Sequence, residues 1–159
     1  MPTLIDAYDG ILAAGASLQI VTSGGSPTTV PFQGILDYTP PARVFKALTD
    51  PKDLEGWSGA PARVPAKVGG PFRMWDGWNT GRVLARHPPT ALAYSWRKDS
   101  WSAETKDSVV RWKLTRVPGG TRVSVVHSKL PSAWEYRDHK GGWPKYFLKP
   151  MAAYLKKRG

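Results

Sequence analysis

The sequence predicts an α+β domain in which a curved antiparallel β-sheet wraps around a long C-terminal α-helix. Residues 111–117 and 121–125 alternate apolar and polar side chains with a period of two, which is typical of half-buried strands. Near the C-terminus, Phe147, Met151 and Leu155 recur at helical spacing. The chain has 159 residues and no cysteine. We therefore expect a domain with its own core, without disulfide bonds, thiolate catalysis or cysteine-bound metal.

Residues 1–31 are expected to form an N-terminal arm, and residues 32–159 the main domain. The arm contains a helix candidate at 6–16, a strand candidate at 18–22 and a Gly/Ser-rich turn at 23–27. Residues 1–42 include three Asp and no basic residue, whereas residues 43–159 carry a net charge of +14. This asymmetry favours docking of the arm on the domain. The N-terminus is a poor secretory signal and no window is apolar enough for a membrane span, so a cytoplasmic protein is expected.

The domain opens with a strand candidate at residues 33–38. Pro40 and Pro41 end it and suit the first turn of a helix. The helix carries Phe45 and Leu48 on one side, and Pro51 breaks it into two pieces. Asp50 is positioned to cap the second piece.

The middle of the chain reads as consecutive strands separated by Gly and Pro turns. The predicted strands are residues 63–68, 72–76, 80–86, 92–97, 109–117 and 121–129. Short turns between them indicate antiparallel pairing, with one face covered and one in water.

The last segment, residues 143–157, is predicted to be the long helix that covers the sheet. Ser132 and Glu135 have the spacing of a capping box for a short turn before it. Pro150 lies inside the helix and should kink it or free a carbonyl one turn earlier.

Composition points to a cavity and to a basic surface. Eight Trp in one small domain are more than packing usually needs, so an aromatic-lined cavity is expected. The net charge of +11 attracts anions and acidic proteins, and it favours an anionic over a cationic ligand group at the mouth of a cavity. Nucleic acid is an unlikely partner, because the chain has no compact basic run or known binding motif.

Several motifs resemble one family. They are YTPPARVFKALTDP (38–51), VGGPFRMW (68–75), GRVL (81–84), LAYSW (92–96), GTRV (120–123) and GW (142–143). Together they cover about residues 33–158 and resemble the activator of Hsp90 ATPase homologue 1-like (AHSA1-like) family of the START/Bet v 1-like helix-grip (SRPBCC) superfamily. The resemblance implies a helix-grip fold with a deep apolar cavity between sheet and C-terminal helix. Relatives include lipid carriers, cyclases, co-chaperone domains and uncharacterised bacterial proteins, so the fold does not choose a function.

Strand alternation indicates which side chains face the cavity, because charged residues mark the wet face. The predicted ligand-binding residues, including two from the helix and one from the turn after residue 76, are Phe72, Met74, Trp78, Tyr94, Trp96, Trp112, His127, Trp143 and Phe147.

Two residues are candidates for acid–base chemistry. His127 can exchange a proton near neutral pH, but a histidine satisfied by a neighbouring Tyr or Trp in the core is the simpler interpretation. Asp76 could be a second acid, or simply a turn aspartate before Gly77. Asp138 and His139 are adjacent, yet no spacing in the chain indicates three metal ligands, so no metal and no cofactor is expected.

Three functions remain open from the sequence. The first is binding of a small hydrophobic or aromatic molecule in the cavity. The second is an enzyme of the cyclase, dehydratase or hydrolase kind that uses the same cavity with His127 and Asp76. The third is co-chaperone-like interaction of the basic surface with an acidic protein.

Overall fold

The computed structural model describes residues 18–21 and 28–158. The predicted helix at 6–16 and turn at 23–27 lie outside the described residues. Within the described part of the chain, no helix is both long and apolar enough to cross a membrane.

Within the described residues, seven antiparallel strands form one sheet, as alternation and short turns predict. The strands are β1 (Leu18–Val21), β2 (Val30–Asp37), β3 (Pro71–Met74), β4 (Asn79–His87), β5 (Ala91–Lys98), β6 (Ser108–Val117) and β7 (Gly120–Ser128). Their order across the sheet is β1-β2-β7-β6-β5-β4-β3. The predicted α+β class and antiparallel sheet are confirmed, and β1 forms an edge strand paired with β2.

The predicted strand at residues 63–68 is wrong. Only Arg63 pairs there, through an isolated bridge to Arg73, and the following residues are irregular. Pro65 has no N–H to donate to a ladder, and Gly69 adopts a φ of 87° that ends any extended run.

Two short helices, α1 (Pro41–Thr49) and α2 (Pro51–Ser58), follow β2. Asp50 caps α2, because its side chain accepts the N–H of Asp53 at 3.1 Å. Asp53 in turn accepts from Arg43 at 2.8 Å and from the Tyr154 hydroxyl at 2.6 Å. Burial alone would raise the pKa of Asp53, but these hydrogen bonds outweigh it and hold the pKa below 3.8.

The C-terminal helix begins ten residues earlier than predicted. It consists of α3 (Ala133–Gly142), a π-helical turn (Trp143–Leu148) and α4 (Lys149–Arg158) without interruption. Ser132 is the N-cap, since its Oγ accepts the N–H of Glu135 at 3.1 Å. Pro150 was expected to distort the helix, and the distortion lies in the π-helical turn just before it. There the Lys149 N–H donates to the Pro144 carbonyl, five residues earlier.

The core lies between the concave sheet face and the helices. Inward side chains of neighbouring strands face each other in register, as in the pairs Leu92 with Trp112 and Val110 with His127. Met151 and Leu155 are buried on the same side of the C-terminal helix. The predicted division of β6 into buried Val110, Trp112 and Leu114 and exposed Arg111 and Lys113 is confirmed.

Candidate functional site

A pocket of about 510 Å³ lies between the C-terminal helix, β5 and the turn from β3 to β4. Its walls are mostly aromatic. The lining residues are Trp75, Trp78, Trp96, Asp138, His139, Gly142, Trp143, Tyr146 and Phe147. Trp78 and Tyr146 are 45% and 55% exposed, so they form its outer rim.

The turn from β3 to β4 places two tryptophans over the pocket. Trp75, Asp76 and Gly77 have φ values of 46°, 54° and 94°, so two non-glycine residues adopt the left-handed conformation in succession. Such residues cost of order 1 kcal/mol each and cluster at functional sites. The conformation brings the ring centroids of Trp75 and Trp78 to 5.6 Å, edge to face. Asp76 itself points to solvent, where it pairs with Arg73 at 2.8 Å.

The π-helical turn supplies the opposite wall. Trp143, Tyr146 and Phe147 all come from this turn, and the rings of Trp143 and Phe147 are 4.5 Å apart. A π-turn widens the helix and shifts the side chains that follow it relative to a regular helix. Gly142, immediately before the turn, leaves space where any other residue would place a side chain.

His127 is buried beneath the pocket and both of its ring nitrogens are engaged. Its Nδ1 accepts the Trp143 indole N–H at 3.0 Å, so the neutral ring carries its proton on Nε2. That proton is donated to Ser108 Oγ at 2.7 Å, and Ser108 donates to the Trp96 carbonyl. Burial, and secondarily the nearby His139, hold the pKa of His127 well below 6.5.

His139 reaches the pocket wall in the opposite tautomer. Its Nδ1–H donates to the Glu135 carbonyl at 2.8 Å, and its Nε2 accepts the Trp96 indole N–H at 3.1 Å. Burial lowers its pKa, against the opposing effect of the Glu135 carbonyl. Both histidines therefore favour the neutral form and act as acceptors for tryptophan N–H groups.

One side of the pocket carries an ionic cluster. The Lys98 ammonium lies 3.1 Å from both Glu135 Oε1 and Asp138 Oδ2. Glu135 Oε2 also accepts the Trp101 indole N–H. Ligand atoms of Glu135, Asp138 and His139 lie within 4.8 Å of one another, a grouping that sequence spacing did not indicate. The cation beside the carboxylates of Glu135 and Asp138 in this structure is the ammonium group of Lys98.

The predicted ligand-binding residues divide into two groups. Trp78, Trp96, Trp143 and Phe147 line the pocket. The other five, which are packed as solid core beneath it, are Phe72, Met74, Tyr94, Trp112 and His127. Tyr94 stacks on Phe72 at 3.9 Å and accepts the Trp112 N–H at 2.9 Å, and its burial raises the pKa of its hydroxyl. Alternation identifies the inward face of a strand but not which part of the interior is open.

Sequence reasoning missed five lining residues, which are Trp75, Asp138, His139, Gly142 and Tyr146. Three of them, Asp138, His139 and Gly142, precede residue 143, where the predicted helix began, and Tyr146 lies on the π-helical turn, which helical spacing does not describe. The capping residues Ser132 and Glu135 were the available signal for the earlier start.

Asn79, next to Trp78, is an unusual core residue. Its side chain is fully buried, and neither its Nδ2 nor its Oδ1 has a hydrogen-bond partner within the described residues. Its partners across the strands are Met74 and Lys98.

Comparison with known proteins identifies the family. The sequence profile of the family described as Activator of Hsp90 ATPase homolog 1-like protein matches residues 38–156. The chain belongs to this family. The AHSA1-like domain therefore covers both walls of the pocket, including the turn after β3 and the C-terminal helix.

Individual relatives agree with this assignment. The "Activator of 90 kDa heat shock protein ATPase homolog 1" of Mus musculus is 27% identical over 110 residues, which is 69% of this chain and 32% of that protein. The human counterpart is 26% identical over the same extent. The matched part of this chain thus spans about a third of the length of these curated relatives.

Two solved structures show the same fold over most of the chain. An HSP90 activator from Plasmodium falciparum has a TM-score of 0.73 and 26% identity, covering 81% of this chain and 96% of that one. A protein from Mesorhizobium loti has a TM-score of 0.70 and 28% identity, covering 82% and 98%. These neighbours confirm the helix-grip fold.

Proposed function

We propose that this AHSA1-like domain binds a small, mainly apolar molecule in the aromatic pocket. The observation that carries the proposal is the pocket of about 510 Å³ lined by four Trp, one Tyr and one Phe. Ligand sites commonly have volumes of 300–1,000 Å³, apolar walls and few polar groups.

The polar groups around the pocket support binding over catalysis. His127 and His139 each use both ring nitrogens in hydrogen bonds within the protein. Asp76 is exposed and paired with Arg73. The enzymatic alternative therefore gains no separate support from the geometry, whereas a rigid wall of satisfied groups suits a ligand held by its apolar surface.

Filling the pocket from Gly142 tests the proposal. Gly142 is helical, and a Cβ built there meets its nearest atom, in the Tyr146 ring, at 3.8 Å, which is ordinary contact. Gly142→Leu should therefore fold, with helix stability raised by up to about 1 kcal/mol. It should weaken binding by about tenfold or more, because a bound molecule would overlap the new side chain.

Gly141→Leu is the matched control. Gly141 is the preceding residue, is exposed, and has nothing within 4 Å of a built Cβ. Tryptophan fluorescence is titrated with aromatic acids, aromatic amines and fatty acids. Saturable binding that Gly141→Leu keeps and Gly142→Leu loses supports the proposal. No saturable change with any compound, or equal binding by both variants, contradicts it.

A second function, contact with an acidic protein, is favoured by a separate observation. Arg111, Lys113 and Arg122 lie exposed on the outer sheet face, and none has an ion pair within the described residues. Relatives are described as activators of a heat shock protein ATPase. We propose that this face can contact an acidic protein surface.

Purified 90 kDa heat shock protein is the probe for this second function. Binding and ATPase stimulation should weaken between about 50 and 300 mM salt, since exposed charge pairs are screened. The double variant Lys113→Glu, Arg122→Glu should abolish them, whereas Lys52→Glu on α2 should not. Unchanged binding by the double variant contradicts this use of the face.

A further inference from the structure

We propose that the ligand of the aromatic pocket carries an organic cation, such as a substituted ammonium group, on an apolar body. This inference rests on the proposed pocket-binding function and names the ligand class. It reverses the preference for anions that the net charge of the whole chain suggests.

The walls of the pocket are the first evidence. Four indoles and two other aromatic rings surround the space, from the turn after β3, from β5 and from the C-terminal helix. Aromatic faces carry the negative part of a quadrupole, and Trp attracts cations most strongly. Rings arranged on several sides are the usual surroundings of a bound quaternary ammonium group.

The charges around the pocket are the second evidence. Asp138 is the one lining residue with a formal charge, and its Oδ1 makes no hydrogen bond within the described residues. Behind it, the charges of Lys98 and Glu135 cancel, and burial keeps His139 neutral. The ionic side of the pocket thus has a net charge of about −1, although the chain carries +11. Lys145 adds one positive charge at the outer edge, over the Tyr146 ring, where it is exposed and screened.

The protein already holds one ammonium group in this way. The Lys98 Nζ lies 4.8 Å from the ring centroid of Trp134 and 5.7 Å from that of Trp78, between two carboxylates. Two of these four groups, Trp78 and Asp138, also line the pocket. A ligand cation beside Asp138 Oδ1 would extend the same arrangement into the open space.

Three probes that share a benzyl group test the ligand class. They are benzyltrimethylammonium, its uncharged isostere neopentylbenzene, and phenylacetate, titrated by calorimetry at one fixed cosolvent concentration. The cationic probe should bind about five- to thirtyfold more tightly than the isostere, and phenylacetate should bind more weakly than either.

Asp138→Asn removes the charge and keeps an oxygen for Lys98. It should weaken the cationic probe by about fivefold and leave the isostere unchanged. Asp107→Asn is the matched control: the Asp107 side chain is 42% exposed and salt-bridged to Arg97, whereas that of Asp138 is 40% exposed and salt-bridged to Lys98. Asp107→Asn should leave the binding of all three probes unaffected.

If Asp138→Asn fails to fold, Trp78→Leu at the exposed rim serves instead. It should weaken binding of the cationic probe more than binding of the isostere.

The outcomes separate the two proposals. If the isostere or phenylacetate binds as tightly as the cation, or if Asp138→Asn and Asp107→Asn behave alike, the ligand class is wrong while pocket binding stands. If the probes and the fluorescence panel all fail to bind, both proposals are wrong. Selective binding of the cation that depends on Asp138 supports both.

Discussion

Two buried histidines and two indoles illustrate how individual residues define this site. His127 accepts from Trp143 and His139 accepts from Trp96, so each imidazole fixes the orientation of one tryptophan in the pocket wall. A protonated imidazole has no lone pair left for either bond. The neutral state is therefore part of the structure, and protonation and folding are coupled.

Stability should consequently fall as the pH drops through the usual histidine range. Both histidines have folded-state pKa values below 6.5, so the unfolded chain binds more protons below about pH 6.5. Each histidine should lower the free energy of unfolding by up to about 1.4 kcal/mol per pH unit as the pH decreases below its unfolded pKa, until the pH reaches its folded value. Urea unfolding at pH 7.5, 6.5 and 5.5 measures this slope. His127→Gln should reduce it, and a flat profile between pH 6.5 and 5.5 would falsify the coupling.

Asn79 should be replaceable with a gain in stability. Its buried amide is without a partner, and an unsatisfied buried polar group costs about 1–3 kcal/mol. Asn79→Leu keeps the branching of the side chain and places methyl groups where the unpartnered amide atoms lie, so it should raise the free energy of unfolding by about 1–2 kcal/mol in chemical denaturation. Asn79→Ala should instead lower it, because it leaves a cavity. A less stable Asn79→Leu protein would show that the amide has a compensating role.

At the scale of elements, α2 meets the C-terminal helix at a glycine. A Cβ built on Gly56 would lie 2.6 Å from Cε1 of Tyr154, so the close approach depends on the missing side chain. The Tyr154 hydroxyl also bonds to Asp53 on α2. This contact ties the end of the C-terminal helix to the first half of the domain and fixes its path across the sheet.

Gly56→Ala should therefore destabilise the protein, although the same change usually stabilises a helix. We expect a loss of about 1–2 kcal/mol from overpacking against Tyr154. In a Tyr154→Ala background the substitution should become neutral or stabilising by up to about 1 kcal/mol. The double-mutant cycle is measured by chemical denaturation, with the exposed Gly141→Ala as the stabilising control. Additive effects of the two substitutions would contradict the steric explanation.

For the whole molecule, β1 covers one edge of the sheet. Leu18–Val21 pairs with β2 from Gln33 to Leu36, and without it this length of β2 would present unpaired backbone groups. An unprotected edge strand is a template for pairing with a second chain. We therefore predict that β1 protects this edge of the sheet from pairing with another chain.

Removal of residues 1–27 should promote self-association. The deletion leaves β2 as an open edge, whereas a shorter deletion of residues 1–16 retains β1 and serves as the control. Light scattering coupled to size exclusion should show dimers or larger species for the long deletion and none for the short one. A monomeric and equally stable long deletion would mean that the pairing of β1 contributes nothing.

Local patterns were sufficient to predict most of the fold. Turn residues and alternation together located all seven strands of the described residues, and the exposed charged side chains of β6 and β7 identified which face of each strand is in water. Asp50 and Ser132 were recognisable as caps because capping is a contact over three residues. The strand at residues 63–68 was wrongly predicted because the apolar residues of this segment were given more weight than Pro65 and Gly69, which disfavour a strand.

The site itself depended on tertiary structure. The sequence by itself determined an aromatic interior, a basic surface and four of the nine lining residues. Three features were decided only by the folded chain. Trp75 and Tyr146 line the same pocket, and Tyr94 accepts a hydrogen bond from Trp112 in the solid core. Lys98 neutralises the charge of Glu135. The physical reason is the distance along the chain over which each kind of interaction acts. Propensity and alternation act over a few residues, whereas a cavity and its local charge are set by contacts between residues far apart in the chain, such as 18 positions for Tyr94 and Trp112 and 37 positions for Lys98 and Glu135.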